Sequence, residues 1–147
     1  MSYPRADVRE LFEQATKRLL DRMDGLTDDE WAWRPVPEDD ELTIRWRLDH
    51  IADAVGGQRN WQWLGASDAP ELVPADSAAM AIATVRDVVD RFIALTNRPE
   101  IDLDQPIGPI GGFYAEHPRR ALVLHTVDEL IHHAAEAALL RDLYSAG

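Results

Sequence analysis

Residues 119–144, RRALVLHTVDELIHHAAEAALLRDLY, form a long stretch without glycine or proline, and their apolar members follow a helical period. Leu122, Leu124, Val127, Ile131, Ala134, Ala135, Ala138 and Leu139 recur at intervals of three and four, as one face of an α-helix requires. The alanines permit close approach of a neighbouring helix. Beside this apolar face runs a polar stripe of His125, Glu129, His133 and Glu136. Residues at i and i+4 project from one side of a helix, so the Glu129 carboxylate and the His133 imidazole can converge on a single ion. A solvated helix face with scattered histidines gives the same pattern.

Periodicity upstream predicts three further helices. The first opens at Pro4, after Ser2 and Tyr3, carries Val8, Leu11, Phe12, Ala15, Leu19 and Met23 on its apolar side, and stops at Gly25. Leu26–Glu41, with Pro35, Pro37 and a run of acids, is expected to be a long connection pinned by Trp31 and Trp33. Thr43 is a good N-cap for a second helix through Ile44, Leu48, Ile51, Ala52 and Val55 and on to Trp61 and Leu64, weakened midway by Gly56-Gly57. The third runs from near Asp76 to about Asn97 with Met80, Ile82, Ala83, Val85, Val88, Val89, Phe92 and Leu95 inward, and Pro99 ends it. The stretch from Glu100 to His117 is rich in proline and glycine and reads as a loop; its glycines precede neither a strand nor a Lys-Ser/Thr pair, which argues against a phosphate cradle. Four long helices without a strand pattern predict an all-α four-helix bundle with long loops between helices 1 and 2 and between helices 3 and 4.

Composition bounds the function. At 147 residues the chain is expected to form a single domain over 1–147. With 27 acidic against 15 basic residues its formal charge is −12, which repels phosphate backbones and anionic headgroups, so neither nucleic acid nor a membrane surface is an expected partner. The N-terminus lacks the apolar core of a secretory signal, and no apolar run approaches the ~20 residues of a spanning helix, so a cytoplasmic location is expected. There is no cysteine, and any metal must be held by histidine and carboxylate.

His50 sits in the mostly apolar run Leu48-Asp-His-Ile-Ala52, where a lone imidazole needs a partner. A backbone carbonyl would satisfy it; so would an ion shared with Glu129 and His133. Two histidines and one carboxylate with an open position suit zinc, iron(II) or a similar divalent ion. His125, one turn before Glu129, is the rival ligand, and Asp49, Asp128 or Glu136 could orient an imidazole or act as base. His132 points about a quarter-turn away, and His117 could overhang the site. Trp46, one turn before His50, could wall a pocket, and Trp61 and Trp63 fall on opposite sides of their helix. Arg45, Arg47 and Arg59 could meet an anionic cofactor, or pair with the abundant carboxylates.

Three segments carry a family resemblance. Thr43-Ile-Arg-Trp-Arg-Leu-Asp-His-Ile-Ala52 resembles the second-helix motif of the DinB-like superfamily, Leu26-Thr-Asp-Asp-Glu-Trp-Ala-Trp-Arg-Pro-Val-Pro37 its preceding loop, and His125-Thr-Val-Asp-Glu-Leu-Ile-His-His-Ala-Ala-Glu136 its fourth-helix motif. The resemblance implies a helical bundle with metal ligands at His50, Glu129 and His133, with His125 and Glu136 as alternative or supporting groups. It implies zinc foremost, with nickel, iron or manganese as alternatives, and a homodimer. Many members use three histidines; Glu129 is similar instead to the mycothiol-dependent maleylpyruvate isomerase branch, whose zinc ligands are His, Glu and His. That branch, with bacillithiol and related transferases, implies a low-molecular-weight thiol cosubstrate and an electrophilic small-molecule substrate. The isomerase carries a further C-terminal domain whereas this chain ends at Gly147, so the resemblance does not extend to maleylpyruvate isomerisation itself. The expected activity is thiol S-transfer, and the alternative is a non-catalytic metal- or ligand-binding bundle that acts through dimerisation.

Overall fold

The computed structural model describes residues 5–147; the expected helix start at Pro4 lies outside the described residues. The described residues form six α-helices and no strand: α1 Arg5–Arg22, α2 Asp28–Ala32, α3 Ile44–Gly56, α4 Gln58–Trp63, α5 Ala78–Thr96 and α6 Arg119–Ala146. A short 3-10 helix, Pro109–Tyr114, precedes α6. The all-α expectation holds. No described helix is long and apolar enough to cross a membrane.

Caps explain where the helices begin. Thr43 Oγ1 accepts from Trp46 N at 2.9 Å and starts α3; Ser77 Oγ accepts from Met80 N at 3.1 Å and starts α5, one residue after the predicted Asp76. The expected connection Leu26–Glu41 contains a helix, because Thr27 Oγ1 accepts from Glu30 N at 3.1 Å and closes one turn. Asp28 at its start also accepts from Ala78 N at 2.9 Å, so α2 helps cap α5. Trp31 does pin this segment, buried beneath the Arg45 guanidinium, and Trp33 meets the Tyr144 ring edge-on at 5.5 Å.

The predicted continuous second helix is two. Gly57 adopts an extended ψ of 147° and parts α3 from α4, and the buried Asn60 side chain donates to the freed carbonyls of Ala54 and Val55 at 2.6 and 3.3 Å. Gly56 is buried against α5: a Cβ there would stand 2.6 Å from Val88 Cγ1. The pair of glycines thus marks a close approach of α3 to α5, and the chain turns where that approach ends.

One continuous apolar cluster joins α1, α3, α5 and α6, with Phe12 of α1 meeting Phe92 of α5 at 5.5 Å. Burial on α6 departs from the expected stripe. Leu122, Val123, Thr126, Val127, Leu130, Ala134, Ala137, Ala138 and Leu140 are buried, whereas Leu124, Ala135 and Leu139 are exposed. Packed on both α1 and α3, the helix buries an arc of about 160° at ~100° per residue, and the exposed residues fall past its edge. Leu11 and Ala83 are exposed on α1 and α5 for the same reason. Arg141 of α6 closes the C-terminal end of α1, donating to the carbonyls of Arg22 and Asp24 at 2.7 Å each and to Glu30 Oε2 at 2.7 Å. Within the expected loop, residues 103–120 fold back on themselves: Ile107 N donates to His117 O at 2.9 Å and Gly108 N to Ala115 O at 2.8 Å, around the 3-10 helix.

Gly56→Ala is expected to destabilise the protein by about 1–3 kcal/mol through overpacking against the β-branched Val88. The measurement is a urea midpoint, lowered at unchanged slope. Adding Val88→Ala should make the double variant lose less than the sum of the two single losses.

Candidate metal centre

α3 and α4 run antiparallel to α6, which brings residue 50 level with residues 129 and 133, residue 47 level with 136, and residues 59 and 63 level with 121–125. The three ligands expected from the sequence meet. Glu129 Oε2 lies 3.2 Å from His50 Nε2 and 3.1 Å from His133 Nε2, and all three donor atoms fall within 4.8 Å of one another. Ligands about 2.0–2.1 Å from a tetrahedral zinc stand roughly 3.3 Å apart, so the two spacings to Glu129 fit a common ion without rearrangement.

Neighbours fix both rings. Trp46, one turn before His50, stacks on it at 4.6 Å and 8°, and the two imidazoles meet edge to face at 4.3 Å and 77°. Glu136 Oε1 lies 2.6 Å from His133 Nδ1, too far off axis for a hydrogen bond, and both atoms are buried without another hydrogen-bond partner. A carboxylate in that place selects the tautomer with hydrogen on Nδ1 and leaves the Nε2 lone pair toward Glu129. Lone pair and carboxylate at 3.1 Å repel unless a cation, proton or metal ion, stands with them. The donor chemistry therefore fits a divalent ion. Glu136 is itself held by Arg47, whose Nη2 lies 3.0 Å from Oε2 and whose guanidinium covers Trp46 at 4.9 Å.

The other sequence candidates fall into place around this set. His125 is exposed, with Nε2 3.8 Å from Glu129 Oε1, beside the donors and outside the three-atom group. His132 is 62% exposed and stacks on His133 at 4.6 Å. His132, His133 and Glu136 also lie within ligating distance of one another. All three come from a single turn, and Arg47 already compensates Glu136, which opposes a second cation there. Asp49 faces away, into a groove with Leu72, Val73 and Pro74; burial raises its pKa, with Arg45 lowering it and Asp53 raising it. Asp128 is exposed. Trp61 is buried under Arg98, while Trp63 lies 6.2 Å from Tyr114 of the loop, and His117 joins that loop wall rather than the donor cluster.

The charge of Glu129 reflects the cluster. Burial pushes its pKa up, but the hydrogen bond to His50 and the fields of His133, His125 and His50 outweigh burial and hold it below its ordinary value of 4.5. A depressed carboxylate contributes stability that is complete above its ordinary pKa and disappears as pH falls through the folded one.

A family model described as the DinB superfamily matches residues 11–137. Comparison with curated proteins and with solved structures finds no match.

Glu136→Gln is expected to weaken zinc binding about tenfold to a hundredfold while helix content stays constant; competitive titration against a chromophoric chelator measures it, and unchanged affinity would show that Glu136 does not support His133. In the metal-free protein, Glu129→Gln should lose less stability than the parent as pH falls from neutral to below the ordinary carboxyl value of 4.5, compared by urea midpoints.

Proposed function

We propose, since the chain belongs to the DinB superfamily, whose members commonly bind a metal ion, that it is a divalent-metal-dependent thiol S-transferase acting on an electrophilic small molecule. On this reading α1, α3, α5 and α6 are the four members of the family's bundle, and His50, Glu129 and His133 hold the ion, zinc foremost. The observation that carries the reading is the meeting of two imidazole nitrogens and one carboxylate oxygen at 3.1 and 3.2 Å across α3 and α6, a three-donor set that leaves a four-coordinate ion one exchangeable position.

A divalent ion in this seat supplies Lewis acidity that favours the thiolate form of a low-molecular-weight thiol at neutral pH. The protein's own part is positional. Glu136 holds the hydrogen of His133 on Nδ1, Arg47 holds Glu136, and Trp46 shields one face of His50 from water. The reaction forms one C–S bond. The thiol proton passes to water or to His125 Nε2, and the electrophile either expels its leaving group with the bonding pair or takes a proton on the adjacent carbon.

A second reading, a non-catalytic metal-binding bundle that acts through dimerisation, is favoured by the exposed apolar side of α6, where Leu124, Leu139 and Leu143 are each about half exposed or more. Metal analysis together with single-turnover conjugation separates the two. Zinc-loaded protein mixed with mycothiol, bacillithiol or another small thiol and monochlorobimane is expected to hold one zinc per chain and form conjugate, both lost in His50→Ala. Zinc at that stoichiometry without conjugate across the thiols overturns the transferase and leaves the binding bundle.

A further inference from the structure

Beside the donor cluster a cleft of about 290 Å³ opens between α4, the start of α6 and the loop before it. Ile107 and Leu122, both buried, supply an apolar floor, and Trp63 and Tyr114 pack against each other at its side, ring centroids 6.2 Å apart and planes tilted by 44°. Its polar lining is one-sided. Arg59, His117 and His125 border it, and no aspartate or glutamate does, in a chain whose acids outnumber its lysines and arginines by 27 to 15. Arg59 lies over Trp63 at 5.0 Å and makes no ion pair among the described residues. His117 packs its ring on Tyr114 at 5.4 Å. His125 closes the inner end and carries the cleft to within 3.8 Å of Glu129 Oε1.

We infer that this cleft binds a small organic anion with a flat apolar body, its carboxylate or equivalent anionic group on Arg59 and His117 and its body against the wall formed by Trp63 and Tyr114. The inference rests on the transferase reading only in naming the occupant as that reaction's electrophile or thiol; the recognition itself comes from the cleft. Three exposed cation-forming side chains gather beside an apolar floor with no acid in the lining, in a chain of net charge −12, so the cleft is a local point of attraction for an anion. The tilted aromatic pair offers an apolar wall against which a planar group can lie, and the guanidinium stacked on Trp63 keeps its N–H edges free to donate to a carboxylate. The occupant's far end then reaches His125, next to the donor set, which places a reacting atom beside the ion without using any ligand to hold the anion.

The test uses the full chain loaded with zinc and two probes of one shape, 3-phenylpropanoate and the neutral 3-phenylpropanamide, titrated by NMR. The carboxylate is expected to bind about tenfold or more tightly than the amide. Arg59→Gln should lower carboxylate affinity and leave the amide unchanged, Arg59→Lys should keep most of the preference, and Arg59→Gln with His117→Gln should erase it; circular dichroism confirms the fold of each. Glu129→Gln, which lacks a ligand, should still prefer the carboxylate. Equal affinity for acid and amide, a preference that survives the double substitution, or one that vanishes in Glu129→Gln each overturns the proposal, the last because the anion would then sit on the metal. Conjugation that fails while the carboxylate preference persists sinks the transferase reading alone and supports the cleft.

Discussion

A single carboxylate oxygen, Oε2 of Glu129, faces the ring nitrogens of two histidines, His133 on its own helix and His50 on a helix 79 residues earlier in sequence. Both contacts are of hydrogen-bond length, and they bring three donor atoms from two helices to one place, which the surrounding structure has to hold in register. The fold does so from two sides. Trp46 stacks on His50, and Glu136 stands 2.6 Å from His133 Nδ1. Arg47 completes the support, because it compensates Glu136 and leaves Glu129 as the carboxylate available to the donor set.

The same antiparallel seam continues past the donor cluster. Each step up α3 is a step down α6, and the seam reaches Arg59 and Trp63 opposite Ala121, Leu122 and His125. The refolded loop at 103–120 adds Tyr114 and His117 from the other side. Donor cluster and cleft are therefore neighbours on one interface, joined at His125, which lines the cleft and stands one helical turn from Glu129.

Much of this was legible in the residues. The i, i+4 spacing of Glu129 and His133 and the apolar setting of His50 pointed to convergence, and Trp46 one turn before His50 carried the stacking in its spacing. The caps at Thr43 and near Asp76 were readable because capping is local chemistry. What escaped depended on the partner helix. Glu136 as a group that orients an imidazole and Arg47 as a partner of some carboxylate were both readable, but their contact with each other follows only once residue 50 is set against 133, since the antiparallel register then sets 47 against 136. The exposed Leu124 and Leu139 escaped because periodicity gives the spacing of a stripe without the width of its buried arc. The helix within Leu26–Glu41 was hidden by its prolines, which lie just beyond the one turn that Thr27 caps.

The break at Gly57 has a bearing on how such a protein diversifies. With α3 and α4 as two rods hinged at an extended residue, the segment that carries His50 and the one that carries Arg59 and Trp63 are separately anchored. Replacements on the outer rod can reshape the cleft while the inner rod keeps His50 in register with Glu129 and His133, so the cleft can drift under mutation at little risk to the donor cluster.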